Sequence, residues 1–195
     1  REIQQAALQE GEASGTLWVQ LMSLGNLGSM ETKLGNFVNA EKYFAAALKK
    51  LGELERQGRK SGIQFGITYA DAAGHFIQRG EYRKAIEYMS RVRFDREGSL
   101  PLELFLVAVT QCELHLALGQ TQKVPKILDD TRRLNLTGSF SEVERLLVEV
   151  RFLEPSAELC RQLEESIAAC ERMGTLYQEC RVRLALSDML LSVGE

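Results

Sequence analysis

The chain is short of proline, of cysteine and of charge of one sign, and each shortage closes off a class of protein. Three prolines in 195 residues, at 101, 125 and 155, leave long stretches in which every backbone N–H is free to enter a helix. No run of 18 uncharged apolar residues occurs, so no segment has the composition of a bilayer-spanning helix. Against 27 Asp and Glu stand 24 Lys and Arg, and a formal charge of -3 supplies no basic field for nucleic acid or an anionic membrane surface. No nucleic-acid or membrane partner is expected. The four cysteines, Cys112, Cys160, Cys170 and Cys180, include no pair at the two-to-four-residue spacing of zinc sites. They are expected as free thiols of a cytoplasmic chain, where Cys behaves as a small hydrophobe. The competing pairings, Cys160 with Cys170 or Cys170 with Cys180, belong to an oxidising compartment.

Catalytic signatures are missing as well. There is no phosphate loop ending in Lys-Ser/Thr, no Gly-x-Ser-x-Gly, no His-Glu-x-x-His and no acidic calcium loop. The expectation is a protein that is not an enzyme and needs no cofactor or metal. Leu24-Gly25-Asn26-Leu27-Gly28 looks glycine-rich, yet it follows no strand and sits inside a helical period, so close packing explains it better. His75 and His115 lie in equivalent regions of neighbouring helices, where inter-helix packing outweighs a shared metal. Arg132-Arg133 and the Arg56 to Lys60 cluster are short, flanked by acids, and read as solvated helix ends. Arg1 to Glu10 is amphipathic and lacks the apolar segment of a signal peptide. With Arg at position 1, a fragment of a longer protein is expected.

What is abundant is Leu, Ala, Glu, Lys and Arg, arranged at helical period and repeated. The clearest copy runs Leu27-Gly28, Leu34-Gly35-Asn36-Phe37, then Ala40, Phe44, Ala47 and Leu48. Leu24, Leu27 and Leu34 share one face of a first helix, A, and Gly28 admits a second helix, B, at close range. Gly35 suits a left-handed turn between them, and Asn36 is placed to cap helix B. Ala40, Phe44 and Ala47 give helix B a small-large-small face for packing on A. A second copy has Tyr69, Ala72, Ala73 and Phe76 before Gly80-Glu81-Tyr82, then Ala85, Ile86, Met89 and Val92. A third has Ala108, Cys112 and His115 before Ala117-Leu118-Gly119, then Val124 and Leu128, with Pro125 tolerable only in the first turn of B. The fourth replaces the turn glycine by Glu154-Pro155-Ser156, followed by Leu159, Leu163, Ser166, Ile167 and Cys170. Residues 35, 80, 119, 154 and 194 then correspond, at steps of 45, 39, 35 and 40. Gly15-Thr16-Leu17-Trp18 and Gly174-Thr175-Leu176-Tyr177 match each other, each closing a B helix and opening an A helix.

The turn glycine, the aromatic two residues later and the small-large-small series resemble the tetratricopeptide repeat. The steps exceed its usual period of about 34, which resembles the long-period arrays of regulatory and signalling proteins. The resemblance covers almost the whole chain: a remnant helix B in 1–14, repeats over 16–60, 61–98, 99–137 and 138–174, and helix A of an incomplete fifth repeat in 175–195. It implies an all-α, right-handed α-solenoid of antiparallel hairpins whose A helices line a concave groove. On that phase the groove residues are Met22, Ser29 and Lys33; Ile67, Ala70, Gly74 and Gln78; Leu106, Val109 and Glu113; Ser141, Glu144, Val148 and Arg151; and Arg181, Leu184 and Asp188. The carboxylate clamp of co-chaperone members is missing, because the matching places hold Gly25, Ser29, Asp71, Leu106 and Thr110. The expected role is a protein-protein interaction scaffold binding a peptide or helix in the groove. The alternative is a sensor or oligomerisation domain regulating an attached ATPase, kinase or DNA-binding domain. At least two of Leu184, Leu186, Met189 and Leu190 are expected to face a missing helix at the open fifth repeat, so that this end either self-associates or is sealed by further repeats.

The assigned phase makes Ala40 a buried knob and Glu41 a surface residue. Ala40→Glu should therefore unfold or loosen the first repeat by burying an unpartnered charge, while Glu41→Ala stays within about 1 kcal/mol of the parent. Urea denaturation of the two variants checks this, and equal destabilisation would mean that the phase is wrong.

Overall fold

The computed structural model describes residues 1–58, 63–92, 100–134, 136 and 138–193. Among these the chain is all helix with no strand: α1 (Glu2–Ala13), α2 (Leu17–Lys33), α3 (Phe37–Arg56), α4 (Ile63–Gln78), α5 (Tyr82–Ser90), α6 (Pro101–Ala117), α7 (Val124–Arg132), α8 (Ser139–Glu149), α9 (Ala157–Met173) and α10 (Leu176–Val193). A single 3-10 turn, Thr121–Lys123, leads into α7. No described helix is long and apolar enough to cross a membrane. Lys60, Gly62 and Gly194, which carried expectations about a loop and a final turn, lie outside the described residues.

One turn is used again and again. Gly35, Gly80 and Gly119 adopt φ of 75°, 73° and 69°, and in each case the next residue donates its N–H to a carbonyl five residues back, as in Asn36 to Glu31 at 2.8 Å. Glycine carries no Cβ to oppose the left-handed conformation that this helix-ending motif requires. Gly15 and Gly174 close α1 and α9 in the same way, which confirms the match seen between those two segments. The fourth hairpin turns without glycine. There Ser156 accepts a hydrogen bond from the Leu159 N–H at 3.3 Å and caps α9, and Pro125 falls in the first turn of α7 as required. Asn36 departs from expectation, since it makes no side-chain cap. Its amide donates instead to Glu31 Oε2 at 2.9 Å, because Glu31 is fully buried at the end of α2 and needs donors.

Helices pair as the sequence period requires. Within the first hairpin, a Cβ added to Gly28 would come within 2.8 Å of the Phe44 ring, so α2 and α3 approach as closely as they do only because position 28 is glycine. Leu21, Leu24, Ala47, Leu51 and Leu54 form the core of this pair. Phe105, Val109, Cys112, Val124, Leu128 and Val148 form another under α6 and α7, and Val143, Leu147, Leu163, Cys170, Val182 and Met189 form a third toward the C-terminal end. The even-numbered helices also pack in succession, α2 on α4, α4 on α6, α6 on α8 and α8 on α10. Small residues mark two of these crossings: Gly25 lies against Thr68 and Gly74 against Thr110. The cysteines are free thiols, three buried and Cys180 exposed.

The last helix corrects one expectation. Met189 is buried in the core, and Leu186 and Leu190 pack partly against it. The uncovered stripe is Leu176, Leu184 and Leu191, with the exposed Cys180 on the same face.

Two glycines in helix interiors give opposite expectations. Gly28→Ala should destabilise by about 1–3 kcal/mol, because the buried Phe44 ring has to move. Gly52→Ala, in α3 with nothing near its Cβ position, should stabilise by up to about 1 kcal/mol through helix propensity alone. Thermal or urea denaturation of the pair reads both signs.

Candidate functional site

Because the even-numbered helices stand side by side, one face of each turns toward a common groove. Residues from all five line a single cavity of about 140 Å³: Ser29, Thr32 and Lys33 from α2; Asp71, Gly74, His75 and Gln78 from α4; Leu106, Val109, Thr110 and Glu113 from α6; Phe140 and Glu144 from α8; Tyr177, Gln178 and Arg181 from α10. Lys33 at the end of α2 places its ammonium 5.2 Å from the centre of the Tyr177 ring on α10. A cation over an aromatic face is attracted by the ring quadrupole, so a side chain of the first of these helices reaches one of the last across the groove.

Of the residues expected in the groove, Ser29, Lys33, Gly74, Gln78, Leu106, Val109, Glu113, Glu144 and Arg181 are brought together here. Ala70 and Val148 are not groove residues: both are buried, at 2 % and 1 % exposure, and pack between helices. On α4 the groove face runs through 71, 74 and 78, so the i+4 residue Asp71 takes the place assigned to Ala70. Ser141 is likewise buried, its hydroxyl donating to Gly138 O at 3.0 Å. Met22, Ile67 and Leu184 lie away from the cavity, Met22 and Leu184 on the surface. Helix α8 ends at Glu149, which leaves Arg151 in the following turn, where it shares a separate hollow with Asp188, Pro155 and Met189.

The polar groups of the cavity are joined by Arg181. Its guanidinium donates to both oxygens of Glu144 at 3.1 and 2.9 Å and to Glu113 Oε1 at 3.2 Å, tying α10 to α8 and α6. Gln178 adds a second donor to Glu144 at 3.2 Å. Enclosure in the groove pushes the Glu113 carboxyl above its ordinary value, with Arg181 opposing the shift and Glu144 adding to it. Asp71 is pushed up to about 6 by the same desolvation, against a hydrogen bond from Ser29 and the positive charge of Lys33.

His75 lines the cavity but is 1 % exposed and locked in place. The Thr32 hydroxyl donates to Gly28 O at 2.9 Å, so the 2.9 Å contact between Thr32 and His75 Nδ1 takes its proton from the imidazole. That fixes Nε2 as an unprotonated acceptor, and it has no hydrogen-bond partner. Phe37, Phe44 and Phe76 surround the ring with centroids 5.0 to 5.7 Å away. Burial therefore lowers the His75 pKa, and Arg79 lowers it further. His115 is engaged separately, with Gln120 at 2.9 Å.

Sequence reasoning missed Thr32, Phe140, Tyr177 and Gln178. Tyr177 and Gln178 stand four and three residues before Arg181, one turn earlier on the same helix face, and that spacing was the available signal. Thr32 gives no such sign, since its role depends on His75 from another helix.

No family model, curated protein or solved structure matches the chain.

A carboxyl whose pKa is higher folded than unfolded binds more protons in the folded state between the two values, so stability falls as pH rises through that window. For Asp71 the window runs from the ordinary 3.8 to about 6. Asp71→Asn should accordingly raise Tm at pH 7.5, and the gain should shrink toward zero near pH 4. Thermal melts across this range check the sign. A variant less stable than the parent at pH 7.5 would show that the ionised carboxylate supports the fold.

Proposed function

We propose that this chain is a non-catalytic binding module of the tetratricopeptide type, a right-handed superhelix with α2, α4, α6, α8 and α10 on its inner wall, and that its groove takes a small ligand. The observation that carries the reading is the approach of Lys33 to Tyr177. It narrows the groove over a hollow of about 140 Å³ that stays open on one side, with room for a small molecule or a single side chain, whereas an α-helix about 10 Å across could only lie over it. The small-ligand form of the sensor reading thus fits the groove better than a bound peptide helix. Convergent polar groups set among Leu106, Val109, Phe140 and Tyr177 are what a small-molecule site requires. A ligand touching five helices would stiffen the whole array, which is the means by which such a module would act on attached domains.

A second reading, a scaffold for proteins, draws on the outer surface. Leu104, Ala108, Ile127 and Leu134 line a cleft of about 520 Å³ between α6 and α7, open to a short apolar segment.

The two readings separate in one experiment. Gly74 lines the cavity and has nothing closer than 3.9 Å to its Cβ position, so Gly74→Leu should fill the cavity while keeping the fold. A panel of amines, acids, sugars and diols of about six to ten heavy atoms is screened by thermal shift. A binding class should stabilise the parent, by roughly 2.7 kcal/mol at a hundredfold excess over Kd, and leave Gly74→Leu unmoved. Stabilisation by no class would sink the small-ligand reading. Binding of apolar peptides that is lost in Ala108→Glu and kept in Gly74→Leu would establish the scaffold instead.

A further inference from the structure

One imidazole sits where three helices meet, in surroundings that suit only its neutral form. His75 of α4 is 1 % exposed. Its Nδ1–H donates to the Thr32 hydroxyl of α2 at 2.9 Å, and that hydroxyl donates in turn to Gly28 O. Gly28 is also where α3 comes close, its Cβ position lying 2.8 Å from the Phe44 ring. Phe37 and Phe44 of α3 stand 5.7 Å from the imidazole, centre to centre, and Phe76 of α4 stands at 5.0 Å. Among the described residues Nε2, the other ring nitrogen, is buried and has no hydrogen-bond partner.

A second proton would go to Nε2, where an enclosed charge without a partner is strongly unfavourable. The carboxylates that act on the ring are taken: Glu41 of α3 pairs with Arg79, and Glu81, in the turn before α5, pairs with Arg79 and with Lys84. Glu41 and Glu81 favour a positive imidazole while Arg79 and Lys84 oppose one, and burial, the largest influence, holds the pKa below its ordinary 6.5. On the cavity side Lys33 of α2, Asp71 of α4 and Glu113 of α6 complete the charged surroundings.

We propose that His75 is an acid-operated latch: a protonated imidazole cannot stay enclosed between α2, α3 and α4, so proton uptake opens the seam between α2 and α4. That seam carries Ser29, Thr32 and Lys33 on one side and Asp71, Gly74 and Gln78 on the other, so its opening unmakes that part of the groove wall in mild acid. The device needs no particular occupant of the groove. A histidine whose pKa is lower folded than unfolded contributes stability that is present above 6.5 and is lost as pH falls below it, because the opened state then binds more protons. Where only the opened seam takes the proton, each unit below 6.5 raises the opened fraction about tenfold.

Amide hydrogen exchange of the parent and of His75→Asn, followed by NMR at pH 7.5 and 5.5, tests the latch. Asparagine keeps an N–H donor for Thr32 and removes the titration. Protection of α2 and α4 in the parent, measured against the variant, should fall several-fold over this interval, up to about tenfold, while α9 keeps its protection. Asp71, which gains a proton over the same range with the opposite effect, is present in both chains, so the comparison isolates the imidazole. An equal pH dependence in the two chains would overturn the latch. So would a loss shared evenly by α9, which would make His75 a general stability residue. Asp71→Asn, with His75 intact and the opposing carboxyl removed, gives a second reading where His75→Asn does not fold. Its α2 and α4 protection should itself fall between pH 7.5 and 5.5, and its His75 imidazole signal, told apart from that of His115 by His115→Gln, should titrate below 6.5. A ring that titrates at its ordinary value with the seam still protected would mean that the three phenylalanines accommodate the charge, and the latch would fall.

Discussion

The distance between consecutive inner helices is the constraint on which the rest depends. Gly25 against Thr68 and Gly74 against Thr110 are small residues at two of these crossings, with 4.0 and 3.9 Å from each Cβ position to its nearest neighbour. Phe44, Leu51, Leu54 and Leu128 are buried in the layer behind them. Lys33 on α2 reaches the Tyr177 ring on α10, and Lys33, Asp71, Glu113, Glu144 and Arg181 share one cavity. The site is a joint product of the inner helices, each of which supplies one of its five charged groups.

Buried charge is a poor way to stabilise such an arrangement. Removing ions from water is expensive, and their mutual attraction offsets that only with good geometry and full hydrogen bonding. Arg181 and Glu144 meet this condition through two contacts, while Asp71 and Glu113 fall short of it. Apolar residues of similar volume would serve the fold as well.

Much of the fold was legible because hairpin repeats write their rules locally. Gly35, Gly80 and Gly119 announced their turns through the one conformation that glycine adopts freely, and Ala40, Phe44 and Ala47 announced a packing face through spacing alone. Asn36 was misread because its side chain answers to a buried glutamate, Glu31, that no local pattern flags. The groove was legible in part, since Ser29, Lys33, Gly74 and Arg181 line it while Met22, Ile67 and Leu184 lie away from it. On α4 the choice between Ala70 and Asp71 turns on whether the face advances by three or four, and a helix of 3.6 residues per turn allows both. On α8 the spacing 141, 144, 148 and 151 assumed a helix longer than the one that forms. The narrowness of the groove had no local signature, since it depends on Lys33 and Tyr177 from helices far apart in the chain.

The contact between Lys33 and Tyr177 changes how the molecule comes apart. In an open repeat array each unit touches only its neighbours, so terminal hairpins fray one at a time. Here two residues far apart in sequence, one near the start of the array and one near its end, hold a shared wall. Loosening α10 removes Tyr177 from Lys33 and Arg181 from Glu113 and Glu144 together, so local opening at one end propagates to the middle. The Lys33–Tyr177 contact thus links two helices that an open array would leave independent of each other.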